Sequence, residues 1–418
     1  MTQRTLITGN GAAAWGARLA GAEYMPVFPI TPQTEIIETL GDWIGKGEMG
    51  GRMVTLESEH SMITAAGAGA ATGVRVFTAT SSQGLLYGME MLYTVAGWRV
   101  PLVLVNVSRG LSAPITLEPD HNDILAARDS GCLQIHAATC QEVVDAILIA
   151  YRVAEDARVR LPAIVNLDGF YLSFTREPVW LPDASKVAQF LPDMDPDEFA
   201  FRADKPVSAA VAVLGGGPYS YFRYQTHLAA LGAVEVFEEA CVEYDRVFGR
   251  SYAPVMAHRL DDAEIVFVMM GSFATKAMDA VDRLRAQGVK AGLARPLLLR
   301  PWPQDAIRKA LTGRKAVVVV DQNLSMGFGG VLRGEVASAL YGQADAPGAL
   351  LGYVGGLGGR DITFAEFAEM AREAETAAAG GEAPPTRLLY TQAELREVRN
   401  LQTLAHAQGL TPGGEGRS

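Results

Sequence analysis

The stretch VTLESEHS at residues 54–61 decides the fold, together with AAGAGAATG at 65–73 and VRVFTATSSQG at 74–84. A short apolar strand ends at two carboxylates, Glu57 and Glu59, and a helix built almost entirely of Ala and Gly follows. Ala and Gly allow another backbone or a flat ligand to approach closely, whereas a carboxylate in such packing requires a partner. The stretch therefore predicts a strand, a closely packed helix and a second strand, with acids at the first junction.

Two interpretations of these acids are open. In the first, both are solvated residues in the first turn of a helix, where negative charge interacts favourably with the helix dipole. In the second, one carboxylate lies in an apolar place, faces a ring nitrogen of a heterocyclic cofactor and stabilises its protonated or imino form. Thiamine diphosphate enzymes need such a contact from one Glu, so the second interpretation indicates that cofactor.

Composition excludes several classes of protein. The chain has 418 residues, which suggests two or three domains, and its 49% hydrophobic content and mean hydropathy of +0.12 suffice for sizeable cores. A net charge of −11 argues against a surface for nucleic acid or an anionic membrane. No apolar run reaches the roughly 18 residues of a membrane span, and no signal peptide follows Met1, so we expect a cytoplasmic protein.

The three cysteines, Cys132, Cys140 and Cys241, are widely spaced and odd in number. They can form neither a disulfide framework nor a site with four thiolates for an iron–sulfur cluster. Any iron–sulfur cluster must therefore belong to another subunit.

The order of apolar runs predicts the fold class. Continuous Val, Ile and Leu runs alternate with Ala-rich helices between Thr5 and Leu167, which is typical of an α/β domain with a mostly parallel sheet covered on both faces. The predicted strands are Arg4–Thr8, Met25–Phe28, Arg52–Leu56, Val74–Ala79, Pro101–Val107, Leu133–Ala137 and Ala163–Leu167.

Composition also predicts the domain boundaries. The first domain covers residues 1–175, and a segment rich in Pro, Asp and Phe at 176–205 is expected to be an extended linker. A second α/β domain follows at 206–373, with strands at Val207–Leu214, Glu264–Met270, Lys290–Leu293 and Lys315–Val320. Residues 374–418 are predicted to form an extended tail that is either disordered or lies along a partner chain, with an amphipathic segment at Gln392–His406.

Ligands in such sheets bind at the carboxyl ends of the strands, so the loops there are the candidate sites. The loop Gly9–Ala14 matches G-x-G-x-x-A, the form of a dinucleotide loop, but the next strand does not end in the acid that would bind a ribose. In the loop Phe28–Pro32, Thr31 is predicted to cap the next helix and Pro32 to lie in its first turn. A hydroxyl at a helix N-terminus is well suited to a substrate carboxylate.

Two further loops follow buried-looking strands. Thr80–Gly84 begins another helix with hydroxyls and an amide, for which ordinary capping is the simpler interpretation. Arg109 follows the strand Pro101–Val107 closely and lies near small residues, an environment suited to a bidentate grip on a carboxylate, although an isolated Arg is more commonly a surface residue.

Eight motifs, in order along the chain, resemble the alpha subunit of the 2-oxoacid:acceptor oxidoreductase family of the pyruvate:ferredoxin type. They are FPITPQT (28–34), ESEHS (57–61), FTATSSQG (77–84), NVSR (106–109), SAPI (112–115), DHND (120–123), RDSG (128–131) and GLGGRDIT (356–363). The resemblance implies a thiamine diphosphate-binding domain of the pyrimidine type, followed by an α/β domain like the C-terminal domain of transketolase.

The resemblance also implies roles for individual residues. Glu59 matches the catalytic Glu that hydrogen-bonds the aminopyrimidine of the cofactor. Thr31 and Arg109 match the hydroxyl and guanidinium that hold the 2-oxoacid. Pro29 and Ile30 would line the pyrimidine side of the cofactor site.

The family reaction is the oxidative decarboxylation of a 2-oxoacid, dependent on coenzyme A, to acyl-CoA and CO2. The chain lacks the Gly-Asp-Gly…Asn pattern that binds Mg2+ and diphosphate, so the resemblance implies a beta subunit that holds that half of the cofactor. It also implies gamma and ferredoxin-like delta subunits with [4Fe-4S] clusters, with ferredoxin or, through a flavin subunit, NAD as the acceptor.

The substrate stays open between pyruvate and an aryl 2-oxoacid such as phenylglyoxylate. The family usually has Tyr where this chain has Phe28, which makes the expected pocket rim more apolar, and the helix after Gly84 adds apolar residues such as Leu85 and Met91. Two other functions are open at this point. The chain could be a non-catalytic assembly subunit, or a dinucleotide-binding module that uses Gly9–Ala14 or Gly215–Gly217.

Overall fold

The computed structural model describes residues 3–194, 203–204, 206, 208 and 211–408. Within these residues the strands are β1 (Gln3–Thr8), β2 (Tyr24–Val27), β3 (Arg52–Thr55), β4 (Phe77–Thr80), β5 (Val103–Ser108), β6 (Leu133–His136), β7 (Ala163–Asp168), β8 (Arg176–Leu181), β9 (Val255–His258), β10 (Ile265–Val268), β11 (Ala291–Pro296), β12 (Leu298–Arg300), β13 (Ala316–Asp321), β14 (Ala349–Val354) and β15 (Arg387–Leu388). The α-helices are α1 (Gly9–Leu19), α2 (Thr34–Gly45), α3 (Glu59–Ala70), α4 (Gln83–Tyr87), α5 (Met89–Trp98), α6 (Asn122–Ala126), α7 (Cys140–Ala154), α8 (Ala184–Phe190), α9 (Gly216–Phe248), α10 (Ala274–Ala286), α11 (Gln304–Leu311), α12 (Val331–Leu340), α13 (Phe364–Ala378) and α14 (Gln392–Ala407).

The first α/β unit is built on a sheet of strand order β12-β6-β7-β5-β4. The strands β4, β5, β7 and β6 run parallel, and every residue in them is buried. Helices cover both faces, which is why these strands are continuous apolar runs rather than alternating ones. The predicted mostly parallel, doubly covered sheet is confirmed, and the observed strand ends lie within three residues of the expected ones.

The second unit is a sheet of order β15-β14-β13-β10-β11-β9, parallel except where β9 meets β11. The short strand β12 leaves this unit and pairs antiparallel with β6, with Leu298 opposite Ile135. A partly buried ion pair between Arg295 and Glu142 also joins the units, with an N–O distance of 2.6 Å. The two α/β units are therefore joined by a strand at the edge of the first sheet and by this ion pair.

Several elements differ from the sequence-based expectation. The expected linker at 176–205 contains β8, which pairs antiparallel with β1, and α8. The long helix α9 packs its apolar side into the core of the first unit, although the second domain was expected to begin at 206. The predicted strand Val207–Leu214 lies partly outside the described residues, and residues 208 and 211–214 are not in a strand. The other domain boundaries stay predictions.

The C-terminal segment is more ordered than an extended tail. Helix α13 continues to Ala378, β15 adds a parallel strand beside β14, and α14 forms where an amphipathic segment was predicted. Arg360 joins α14 to the second unit through Glu394, while Leu401 and Leu404 on the same helix are exposed. None of the helices in the described ranges combines the length and apolar character needed to cross a membrane.

Candidate active site

The two acids of the ESEHS motif have different surroundings. Ser58 caps helix α3 by accepting a hydrogen bond from Ser61 N, and this places Glu59 in the first turn, facing inward. Glu59 is 5% exposed. Glu57 is exposed and accepts a hydrogen bond from the Ser61 hydroxyl, which lowers its pKa. Glu57 is therefore solvated, as the first interpretation expected, but it precedes the N-cap; the acid in the first turn is Glu59, and it is buried.

The Glu59 carboxylate lies against the start of helix α4. A Cβ atom built on Gly84 would lie 2.5 Å from Thr80 Oγ1 and 2.9 Å from Glu59 Cδ, so only glycine leaves room for the acid there. Within the described part of the chain, no hydrogen bond or ion pair involves the Glu59 carboxylate. Because a buried carboxylate without a partner is costly, this group is suited to a ligand that donates a hydrogen bond.

The loop before α4 is held by side chains from other strands. Ser82 has φ 51° and makes no side-chain cap to α4, so ordinary capping does not explain its hydroxyl. Ser82 Oγ lies 2.7 Å from Gln83 Oε1 and 3.1 Å from the carbonyl oxygen of Gly110. The loop is thereby joined to the segment that follows β5.

Arg109 is buried at the carboxyl end of β5. One terminal nitrogen of its guanidinium donates to Gln83 Oε1 at 3.1 Å, while its Nε is buried and has no hydrogen-bond partner in the described residues. Burial lowers the pKa of Arg109, and the charge of Asp123 acts in the opposite direction. A buried cation with an unused donor is suited to binding an anion such as a carboxylate.

The loop Phe28–Pro32 is placed differently from the prediction. Helix α2 begins at Thr34 with Gln33 at its N-cap and no side-chain cap, so the prediction that Thr31 caps this helix is wrong. The Gln33 amide instead donates to the carbonyl oxygen of Phe28, which draws the turn tight before the helix starts. Thr31 and Pro29 are exposed and Ile30 is partly exposed.

The same loop reaches the edge of the sheet where Arg109 lies. Asn10 donates to the carbonyl oxygen of Pro32 at 2.8 Å. Gly169 lies between Pro32 and Ser108: a Cβ atom added to it would be 2.9 Å from the Pro32 ring and 2.6 Å from the carbonyl oxygen of Ser108. Pro32 and Ser108 are therefore close to each other. The structure thus brings Glu59, the Thr80–Gly84 loop and Arg109 together and places the end of the Thr31 loop beside the residue that precedes Arg109.

The Gly9–Ala14 loop cannot hold a phosphate group in this conformation. The backbone amides of Gly9 and Asn10 donate to the carbonyl oxygens of Leu172 and Ser173, and the amide of Gly11 donates to Thr8 Oγ1. Because these donors are already used, a dinucleotide would find no free amides at this helix N-terminus.

Sequence reasoning missed three groups at the site. Gln83 bonds both Arg109 and Ser112, although it appeared only as part of a motif. Asp123 is fully buried between the loops, and His121 forms a buried pair with Asp168, with 2.7 Å between the nitrogen and the oxygen. The only signal for these residues was their presence in motifs; their partners lie far away in the sequence.

The residues present fit the aminopyrimidine half of thiamine diphosphate. The unpartnered, buried carboxylate of Glu59 over Gly84 provides the acceptor that a protonated ring nitrogen requires. No group of three or more His, Cys, Asp or Glu side chains that could hold a metal occurs in the ranges that the structure describes. A cleft of about 830 Å³ borders the neighbouring Gly110–Pro114 loop, but neither Glu59 nor Arg109 lines it.

Comparison with known proteins agrees with this geometry. Residues 15–240 match the thiamine diphosphate-binding domain of pyruvate flavodoxin/ferredoxin oxidoreductases, and residues 263–367 match core domain II of pyruvate:ferredoxin oxidoreductase. The chain is 40% identical to the pyruvate synthase subunit PorA of Pyrococcus abyssi over 88% of its length and 93% of that protein. It is 37% identical to the ketoisovalerate oxidoreductase subunit VorA of Pyrococcus horikoshii, again over 88% of this chain and 93% of that protein.

A solved structure shares the fold. The 2-oxoglutarate:ferredoxin oxidoreductase from Magnetococcus marinus superposes with a TM-score of 0.65 at 19% identity, over 89% of this chain and 65% of that longer chain. At this identity the likeness shows the shared fold alone, with one α/β unit following another.

Proposed function

The chain belongs to the thiamine diphosphate-binding family of pyruvate flavodoxin/ferredoxin oxidoreductases, and on this premise we propose that it is an alpha subunit whose Glu59 contacts the cofactor of a 2-oxoacid oxidoreductase. The observation that carries the proposal is the buried, unpartnered carboxylate of Glu59 over Gly84. When bound, thiamine diphosphate supplies the electron sink for the loss of CO2 from the 2-oxoacid.

Glu59 accepts a hydrogen bond from the pyrimidine ring and holds the proton at that nitrogen. The acid is pre-positioned because Ser58 caps helix α3 and Gly84 leaves space beside the carboxylate. The acid is only 5% exposed, which limits the competition of water for the same hydrogen bond. Pro29 and Ile30 line the pyrimidine side of this site.

Arg109 and Thr31 bind the 2-oxoacid. The buried guanidinium of Arg109 donates to the substrate carboxylate through the Nε that has no partner in the described residues. The hydroxyl of Thr31, on the neighbouring loop, donates to the same carboxylate or to the keto oxygen. Gln83 limits the rotation of the Arg109 side chain.

Pyruvate is the substrate that we propose. Relatives named as pyruvate synthase subunits reach 40% identity. For an aryl 2-oxoacid such as phenylglyoxylate, the apolar residues after Gly84 do not decide: Leu85 and Met91 are buried in the core, whereas Tyr87 and Tyr93 are exposed. An aryl substrate is therefore the alternative that a substrate panel tests.

Partner subunits complete the enzyme. We expect a beta subunit to bind the diphosphate through Mg2+, and gamma and ferredoxin-like delta subunits to carry [4Fe-4S] clusters, with acyl transfer to coenzyme A. The final acceptor is ferredoxin or, through a flavin subunit, NAD, and the complex is expected in the cytoplasm.

The test compares two neighbouring acids in the purified complex. Glu59→Ala is expected to abolish pyruvate-dependent and coenzyme A-dependent acceptor reduction while all subunits still assemble. Glu57→Ala, which removes an exposed acid two residues away, is expected to keep activity. Substantial turnover by the Glu59 variant would disprove the catalytic role, and turnover by the partner chains alone would favour an assembly subunit instead.

A further inference from the structure

Asp123 is a buried carboxylate that bonds to four donors, one in the turn before α4, two on β5 and one in its own helix. Its Oδ2 accepts from Ser82 N and Asn106 Nδ2, both at 3.0 Å. Its Oδ1 accepts from Ile124 N at 2.7 Å and from the Ser108 hydroxyl at 2.5 Å, and the single proton of that hydroxyl is shared with the carbonyl oxygen of Asp120 at 2.6 Å. Neither oxygen faces solvent, because the residue is fully buried at the start of α6.

The bonds to Asp123 hold the neighbours of two residues, Gln83 and Arg109, whose own hydrogen bond orients the Arg109 guanidinium. Ser82 directly precedes Gln83, whose Oε1 accepts from the Arg109 guanidinium, and Ser108 directly precedes Arg109 itself. Ser82 also has a positive φ of 51°, a conformation that costs a non-glycine residue free energy unless its surroundings hold it. The bond from Ser82 N to Asp123 is one such restraint.

The donors around Asp123 favour a carboxylate over an amide. Two of them, Ser82 and Ile124, are backbone N–H groups, which cannot accept a hydrogen bond, and Asn106 donates through its amide nitrogen. An Asn at position 123 would keep one acceptor oxygen for Ser82 and Asn106, but its NH2 group would then face the N–H group of Ile124, which would lose this acceptor. Burial raises the pKa of Asp123, and the bonds from Ser108 and Asn106 oppose that shift.

We propose that Asp123 is a positioning residue that sets the orientation of Arg109 by tying the Ser82–Gln83 turn to the end of β5. The inference rests on the proposed role of Arg109 in binding the 2-oxoacid. It predicts that loss of the Asp123 carboxylate weakens substrate binding without removing any group that touches the substrate.

The test is a double-mutant cycle in the assembled complex, with pyruvate as the substrate. Asp123→Asn is expected to raise KM for pyruvate about tenfold with a smaller effect on kcat, since the guanidinium is misplaced and not lost. In Arg109→Lys the orientation by Gln83 is already disrupted, so adding Asp123→Asn should raise KM little further.

Asp145 provides the matched control. It is equally buried and accepts hydrogen bonds from Tyr244, Tyr252 and Arg250, none of which belongs to the site. Asp145→Asn is expected to lower Tm and leave KM unchanged. If Asp123→Asn behaves in the same way, or if its effect on KM multiplies with that of Arg109→Lys, the inference is wrong.

The outcomes separate the two proposals. An unchanged KM in Arg109→Lys would overturn the proposed substrate-binding role, whereas a raised KM there with an unchanged KM in Asp123→Asn would overturn only the positioning role. If Asp123→Asn does not assemble, Ser108→Ala removes one of the four donors and keeps the carboxylate. It is expected to raise KM severalfold, and an unchanged KM would refute the inference.

Discussion

Gly84→Ala gives a sharp prediction because the added methyl group would contact Glu59, the proposed catalytic acid, directly. The new Cβ would lie 2.5 Å from Thr80 Oγ1 and 2.9 Å from Glu59 Cδ, and closer still to Glu59 Oε1. Ordinary contacts of a Cβ atom begin near 3.4 Å. The Glu59 carboxylate must therefore move, because the Thr80 hydroxyl on the other side is itself buried.

The magnitude follows from the displacement. The carboxylate oxygen has to retreat by roughly 1 Å, and a misplacement of that size in a catalytic group lowers the rate about 100-fold. The free energy of unfolding should fall only modestly. Overpacking costs about 1–3 kcal/mol, and the higher helix propensity of Ala offsets about 0.5–1 kcal/mol of that loss. We thus expect an assembled complex with about 1% of the wild-type kcat for acceptor reduction.

The assay is steady-state acceptor reduction with pyruvate and coenzyme A, together with thermal unfolding. Gly67→Ala is the control, because its Cβ would clash with Val95 and lie 3.2 Å from Trp98 in the contact between α3 and α5, away from the carboxylate. It should lower Tm by a similar amount and keep most of the kcat. Near-normal kcat in Gly84→Ala, with Gly67→Ala equally active, would refute the assignment of Glu59.

Three other perturbations have defined outcomes. Arg109→Leu should raise KM for pyruvate about 30-fold, as expected for the loss of a charge-assisted contact of about 2 kcal/mol, and a KM within twofold of wild type would contradict it. Burial lowers the pKa of His121, but the charge and hydrogen bond of Asp168 outweigh it and raise the pKa above 6.5. The stabilisation from His121 is therefore fully present below pH 6.5 and is lost as pH rises through the raised pKa. The Tm of the wild-type protein should exceed that of His121→Asn by less and less as pH rises. A difference in Tm that grows with pH would contradict the ion pair. Arg75→Ala should lower the free energy of unfolding by about 3 kcal/mol in urea titrations, because it leaves the Glu155 carboxylate, 11% exposed, without its two 2.7 Å bonds. A loss below about 1 kcal/mol would be inconsistent with that pairing.

The sequence alone was sufficient for the elements whose signal is local. Strands such as β5 and β7 are continuous apolar runs between turns, so their positions and the parallel sheet follow from periodicity. The motifs around Glu59 and Arg109 were likewise sufficient to indicate the family and its cofactor. Helix α9 lies in the stretch that the sequence assigned to the second domain, but it packs into the core of the first unit.

Only the tertiary structure decided which groups meet. Glu57 and Glu59 are equivalent in the sequence, and they differ because Ser58 caps α3 and Gly84, from a distant segment, leaves space for one of them. Asp123 acquires its role only when Ser82, Asn106 and Ser108 converge on it. Burial and hydrogen bonding depend on contacts between residues far apart in the chain, and a local pattern carries no information about such contacts.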